Sequence, residues 1–317
     1  MTASSSTEAN QKHSHGNHGA SGNLRAIAAM MLSQLSFIFN DTLIKLATRE
    51  LPGGEAIFIR GVFAFTFAVM LGLAMGALKP WPTRAMLPVV VWRNVGEIGS
   101  TFFYLTALFH MPIGDATAIL QFVPLAITAV AAVFLGEPVG WRRWLATLVG
   151  FIGVMIVIRP GTTAFNAWSL LALAGVFFSV LRDLTTRRIS TAIPTIVLVT
   201  ISAGVVATAA LGFLLIETWQ LPSGWALLTL AGAAVFLLAG YYFIIDAMRH
   251  GEIAVVAPFR YSVIVWAILA GIFIFGEKPD RTALLGTAIV IVAGIYTFMR
   301  ERRLRIERAR ATGAAKP

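Results

Sequence analysis

Ten apolar runs follow one another along the chain, at roughly 25–47, 54–78, 85–109, 112–135, 142–158, 167–187, 193–216, 224–248, 252–275 and 281–299. Most reach the ~20 residues that a helix needs to cross a ~30 Å hydrocarbon core, and the run at 142–158 is the shortest. Open strands would leave backbone N–H and C=O groups without partners in lipid, so the runs are predicted to be helices. The connections are short and carry helix-stopping chemistry: Leu51-Pro52-Gly53-Gly54, Lys79-Pro80-Trp81-Pro82, Arg159-Pro160-Gly161 and Pro222-Ser223-Gly224. The pattern predicts an all-α integral membrane protein of about ten transmembrane helices, with the lipid bilayer as its surroundings.

Composition agrees. Of the 317 residues, 57% are hydrophobic and 13% are charged, about half the charge fraction of a soluble domain. The chain has no cysteine, which excludes disulfides, thiolate metal sites and cysteine nucleophiles. The formal charge of +10 does not point to nucleic acid, because of where it sits. Arg300, Arg302, Arg303, Arg305, Arg308, Arg310 and Lys316 follow the last apolar run, and most other basic residues lie in short connections. With an even number of spans both termini share one side. If that side is the cytoplasm, inside connections hold Lys79, Arg84, Arg142, Arg143, Arg187, Arg188 and Arg249, against Arg49, Arg159, Lys278 and Arg281 outside. The bias favours both termini in the cytoplasm.

Residues 1–23 are polar and lack apolar periodicity, so they are expected to form a disordered cytoplasmic tail. No signal peptide is evident in them. His13, His15 and His18 form a weak metal-binding pattern that a flexible tail explains equally well. Residues 300–317 are expected to be a basic cytoplasmic tail.

The two halves of the chain look alike. Asn40-Asp41-Thr42-Leu43-Ile44-Lys45 closes span one and Arg182-Asp183-Leu184-Thr185-Thr186-Arg187 closes span six, each with an acid four residues before a base. That spacing predicts the pairs Asp41–Lys45 and Asp183–Arg187 on one helix face, as interfacial anchors. Phe102-Phe103-Tyr104 in span three matches Tyr241-Tyr242-Phe243 in span eight. Phe134-Leu135-Gly136-Glu137-Pro138 ends span four, and Ile274-Phe275-Gly276-Glu277-Lys278 ends span nine. Each half contains five spans, so the second is inverted in the membrane relative to the first. Inverted repeats are a transporter architecture with the substrate site near the midplane.

On these matched endings and the 5+5 layout, the chain resembles the EamA branch of the drug/metabolite transporter superfamily, from about residue 24 to 299. The resemblance implies two five-helix repeats, 24–158 and 167–299. It also implies a carrier of the bacterial inner membrane that moves metabolites by alternating access, with cargoes that differ widely across the family.

Ionisable groups inside a span are costly and by default mark function. Arg60 in span two, Arg93, Asn94 and Glu97 in span three, Gln121 in span four, Tyr241 and Tyr242 in span eight, and Arg260 and Tyr261 in span nine are the candidate lining of a polar, substrate-binding cavity. The competing reading of Arg93 and Glu97 is a buried pair that fixes packing. Glu97 is also a candidate proton carrier, although Arg93 at helical spacing would keep it ionised. Glu137 and Glu277 are expected to cap turns or gate span ends, and Asp246 to pair with Arg249. Small residues such as Gly150 and Gly153 are read as helix-packing positions.

No cofactor or metal is expected. Intramembrane enzyme chemistry lacks its motifs, a channel its filter, and an ATP-driven pump its Gly-rich Lys loop. The expected partner is a small-molecule substrate. General similarity to riboflavin carriers of the branch and the paired aromatics favour riboflavin uptake, with export of amino acids or related metabolites as the alternative.

Overall fold

The computed structural model describes the backbone of residues 5–134, 140–162, 165–190, 192–250 and 253–311. Its elements are α1 (Ser5–Ala47), α2 (Gly53–Ala74), α3 (Leu87–His110), α4 (Ile113–Leu120), α5 (Val123–Phe134), α6 (Trp141–Ile158), α7 (Trp168–Thr186), α8 (Thr195–Ala210), α9 (Gly224–His250), α10 (Ile253–Val256), α11 (Ser262–Phe275) and α12 (Arg281–Ala311). Among the described residues there is no strand. Among the described residues nine helical segments are long and apolar enough to cross a membrane. The tenth crossing is α3, which has the length, 24 residues, but carries Arg93, Asn94 and Glu97 along its middle.

Two crossings are not continuous helices. The fourth is α4 followed by α5, interrupted at Gln121 and Phe122, with Pro124 just beyond. The ninth is α10, a 3₁₀ turn Ala257–Tyr261 containing Pro258, and α11. A proline lacks the N–H that would continue the ladder, so both breaks lie where the sequence withholds a donor.

At both chain ends the helices run past the apolar runs. In place of the disorder expected for 1–23, α1 is helical from Ser5 onward. The basic segment after residue 299 continues α12 as far as Ala311. Once a membrane span has nucleated a helix, adding residues costs little until a breaker intervenes, and no proline lies between Ser5 and Ala47 or between Arg281 and Ala311. The side chains of His13, His15 and His18 lie outside the described residues, as do Gly136, Glu137 and Pro138.

The packing is an inverted two-fold arrangement. The most extensive contacts are α1 on α9, α3 on α7, α6 on α12 and α2 on α8. Exchanging the halves turns α1–α9 into α7–α3 and maps the other two pairs onto themselves. Every major pairing therefore joins one half to the other, and the halves interleave. At the α6–α12 crossing the backbones nearly touch: a Cβ on Gly153 would lie 2.8 Å from the Gly286 carbonyl oxygen, and one on Gly286 2.6 Å from that of Gly153. Small residues allow this approach, and in lipid close packing is a main source of helix association.

The outer surface is apolar. Leu228, Phe177 and Phe273 are 74%, 67% and 80% exposed. Water would not tolerate so broad an apolar surface, whereas acyl chains do. Trp81, Trp92, Trp141 and Trp144 are all exposed near helix ends, where indole rings favour the headgroup boundary.

Candidate functional site

A cavity of about 470 Å³ lies between the halves, in the size range of small-molecule sites. Its lining reaches Thr186 at the end of α7 and Thr195 at the start of α8, on the face shared by both chain ends. No lining residue comes from the connections at the opposite face.

That opposite face is tied together. Gly276 ends α11 with a positive φ of 65°, a conformation glycine adopts without strain. The Glu277 N–H then donates to the Gly271 carbonyl at 2.8 Å. The turn sends the Glu277 carboxylate to the first N–H of α4, at Ile113 (3.0 Å), and to Lys45 Nζ of α1 (3.0 Å). Lys45 also donates to the Met111 carbonyl at 2.7 Å. A carboxylate at a helix N-terminus satisfies an otherwise unpaired N–H and meets the positive end of the helix dipole. The same face carries an Arg159–Asp280 ion pair. The Asp280 carboxyl, outside the spans, is held below its usual value, first by the Thr282 hydroxyl and then by Arg159.

Inside the cavity, charge is arranged in two unequal groups. Glu97 sits between two guanidinium groups, Arg93 at 3.5 Å and Arg182 at 3.8 Å. Arg182 reaches α3 because its own backbone lies against Gly96: a Cβ there would fall 2.6 Å from the Arg182 nitrogen. Arg182 also pairs with Asp183 at 2.9 Å. Arg93 donates to the Ser202 hydroxyl, which in turn donates to Asn94 Oδ1 at 3.0 Å.

The second group lies deeper. Asp41 accepts hydrogen bonds from Tyr104 Oη at 2.8 Å and from Asn40 Nδ2 at 2.9 Å. The other end of the Asn40 amide, Oδ1, accepts from Arg60 Nη1 at 3.2 Å. Arg60 Nε and Arg93 Nε are buried without a hydrogen-bond partner. Buried donors carry a desolvation cost unless something accepts from them. Phe37 meets Tyr241 edge-on, ring centroids 5.5 Å apart, and both line the wall.

Of the residues singled out in the sequence, Arg60, Arg93, Glu97, Gln121, Tyr241 and Arg260 line the cavity. Three do not. Asn94 stands behind the lining, holding Ser202. Tyr242 is 60% exposed on the outer surface, because successive helical residues point about 100° apart and Tyr241 takes the inner direction. Tyr261 is 8% exposed and packs its hydroxyl against Gly294 of α12. The pairs Asp41–Lys45 and Asp183–Arg187 are not formed: Lys45 turns to Glu277, and Asp183 is taken by Arg182. Asp246 meets Arg25 at 3.1 Å. Glu277 caps α4 across the repeat boundary. Among the lining residues that the sequence reading missed are Asn40, Asp41, Arg182 and Asp183. Their signal was available, since they occupy matched places in two inverted halves.

The EamA-like transporter family profile matches residues 24–159 and again 166–299. The chain belongs to the EamA-like transporter family. It is a multi-pass membrane transporter, not an enzyme, and its two matched segments are the two halves described above. The S-adenosylmethionine uptake transporter of Rickettsia felis is 30% identical over 283 residues, covering 88% of this chain and 94% of that protein. The riboflavin transporter of Rhizobium johnstonii is 31% identical over 287 residues, covering 86% and 91%. The pseudopaline exporter CntI of Pseudomonas aeruginosa is 25% identical over 269 residues, covering 84% and 93%. A solved crystal structure superposes with a TM-score of 0.61 at 21% identity, over 87% of this chain and 98% of its own, and shares the fold.

Proposed function

We propose that this EamA-family chain imports a metabolite that joins a planar ring to a zwitterionic amino-acid group, in the manner of S-adenosylmethionine. The observation that carries the reading is the cavity's double charge: four guanidinium groups (Arg60, Arg93, Arg182, Arg260) and three carboxylates (Asp41, Glu97, Asp183) around one space. A neutral solute has no need of formal charge of both signs in a buried site, where each charge costs desolvation energy. The relatives named for S-adenosylmethionine uptake support the same class of cargo. Riboflavin is the second reading, favoured by the aromatic edge of Phe37 and Tyr241 and by the relatives named for it.

The orientation that best fits the basic connections puts both termini in the cytoplasm of a bacterial inner membrane. The cavity then opens inward, and the Lys45–Glu277 tie closes the outward face. The test is uptake into proteoliposomes of radiolabelled S-adenosylmethionine beside riboflavin and an amino-acid mixture. Saturable entry of S-adenosylmethionine is the expected result. Entry of riboflavin alone moves the cargo to the second reading, and entry of neither, with folded protein in the vesicles, overturns both.

A further inference from the structure

We infer that Asp41, Asn40 and Arg60 form a clamp for the zwitterionic end of the solute, with the amino group seated on Asp41 and the carboxylate on Arg60. The inference rests on the proposed amino-acid-bearing substrate and adds where, and by which atoms, its head is held.

The first support is the charge ledger of the cavity. Glu97 has Arg93 and Arg182 beside it, and Asp183 has Arg182. Asp41 alone among the three carboxylates has only neutral hydrogen-bond partners, the Tyr104 hydroxyl and the Asn40 amide, with Arg60 acting on it through space. Among the described residues no lysine or arginine forms a salt bridge with it. Lys45, one helical turn away, is committed to Glu277 and the Met111 carbonyl. A carboxylate oxygen has two acceptor positions, and each Asp41 oxygen uses one of them here. One position on each oxygen remains for a donor arriving through the cavity.

The second support is the spacer. Asn40 is 3% exposed and presents its NH₂ to Asp41 and its carbonyl to Arg60. Only this orientation of the amide satisfies both neighbours, since an ionised carboxylate cannot donate and a guanidinium cannot accept. Asn40 therefore stands between a carboxylate and a guanidinium that would otherwise pair directly. Arg60 lines the same cavity, and its Nε is left buried with an unused N–H. An anion receptor and a cation receptor, held apart by one amide, match the two charges of an amino-acid head. The two charges attract through space, but Asn40 keeps them from closing a direct ion pair, so each still has a face for the solute.

The test is equilibrium binding to the purified full-length protein, using labelled S-adenosylmethionine and labelled 5′-methylthioadenosine, which keeps the ring and sugar but lacks the amino-acid head. The wild-type protein is expected to prefer S-adenosylmethionine. Asp41→Asn, nearly isosteric, is expected to weaken S-adenosylmethionine about tenfold or more, the scale of a hydrogen bond to a charged group, and to leave methylthioadenosine within about twofold. Asp41→Glu keeps the charge and is expected to retain a preference for S-adenosylmethionine. Unchanged S-adenosylmethionine binding in Asp41→Asn overturns the clamp while leaving the substrate reading intact. Equal loss of both ligands in Asp41→Asn, with no preference in Asp41→Glu, also overturns it, by making Asp41 structural. Failure of the wild-type protein to bind S-adenosylmethionine at all overturns the substrate reading, and the clamp with it.

Discussion

Asp41 and Asp183 occupy matched places in the two halves, yet they live in different electrostatic surroundings. Asp183 is preceded by Arg182, which pairs with it at 2.9 Å and also reaches Glu97. Asp41 is preceded by Asn40, which donates a neutral hydrogen bond instead. One position, Asn40 against Arg182, thus turns the second acid into part of a closed ionic network and leaves the first open. A duplicated chain can keep its scaffold two-fold and still place an asymmetric solute, provided the symmetry is broken where the solute sits. Here it is broken at the cavity wall, while the helix pairs α1–α9 and α3–α7 preserve it.

The comparison can be tested from both sides. The largest effect is expected from Glu97→Gln, which leaves Arg182 with Asp183 as its carboxylate partner and Arg93 with only the Ser202 hydroxyl. Removing one partner of a buried ionic group costs on the order of 3 kcal/mol, so the thermal midpoint in detergent should fall and transport should drop at least about tenfold. An unchanged midpoint would mean that water in the cavity already screens the pair. A smaller loss is expected from Tyr104→Phe, which removes the hydroxyl from Asp41 without touching the Glu97 network. Solute affinity should weaken by about threefold to tenfold at an unchanged midpoint, as for one hydrogen bond to a charged group. Loss of stability without loss of affinity would assign Tyr104 to packing. Tyr242→Leu should do least, with transport within about twofold of wild type, because Tyr242 faces outward. A large defect there would place the outer face of α9 in the transport cycle.

Most of the fold could be read from the order of residues because lipid narrows the choices: each apolar run must be a helix, and five runs per half force inversion. Charged residues deep in spans were legible for a related reason, the cost of burying them, and Arg60, Arg93 and Glu97 line the cavity. Side-chain direction was not. The i,i+4 rule places Asp41 and Lys45 on one face, but a lysine near a helix end can extend past its own helix, and Glu277 of a distant turn offers a better partner. Adjacency misled in the same way at Tyr241-Tyr242, where only one of the two can face inward. Tyr261 failed for another reason. The 3₁₀ turn Ala257–Tyr261 rotates the chain away from α-helical spacing, so Arg260 lines the cavity while its neighbour packs on Gly294.

The glycine contact between α6 and α12 has a mechanical consequence. Each of Gly153 and Gly286 leaves no room for a side chain against the other's carbonyl oxygen. A slide of either helix by one residue would bring a Cβ into that space, since Gly286 is flanked by Leu285 and Thr287 and Gly153 by Ile152 and Val154. The register of this crossing is therefore locked. Any rearrangement of the two halves that leaves this contact intact has to be carried by the other helix pairs.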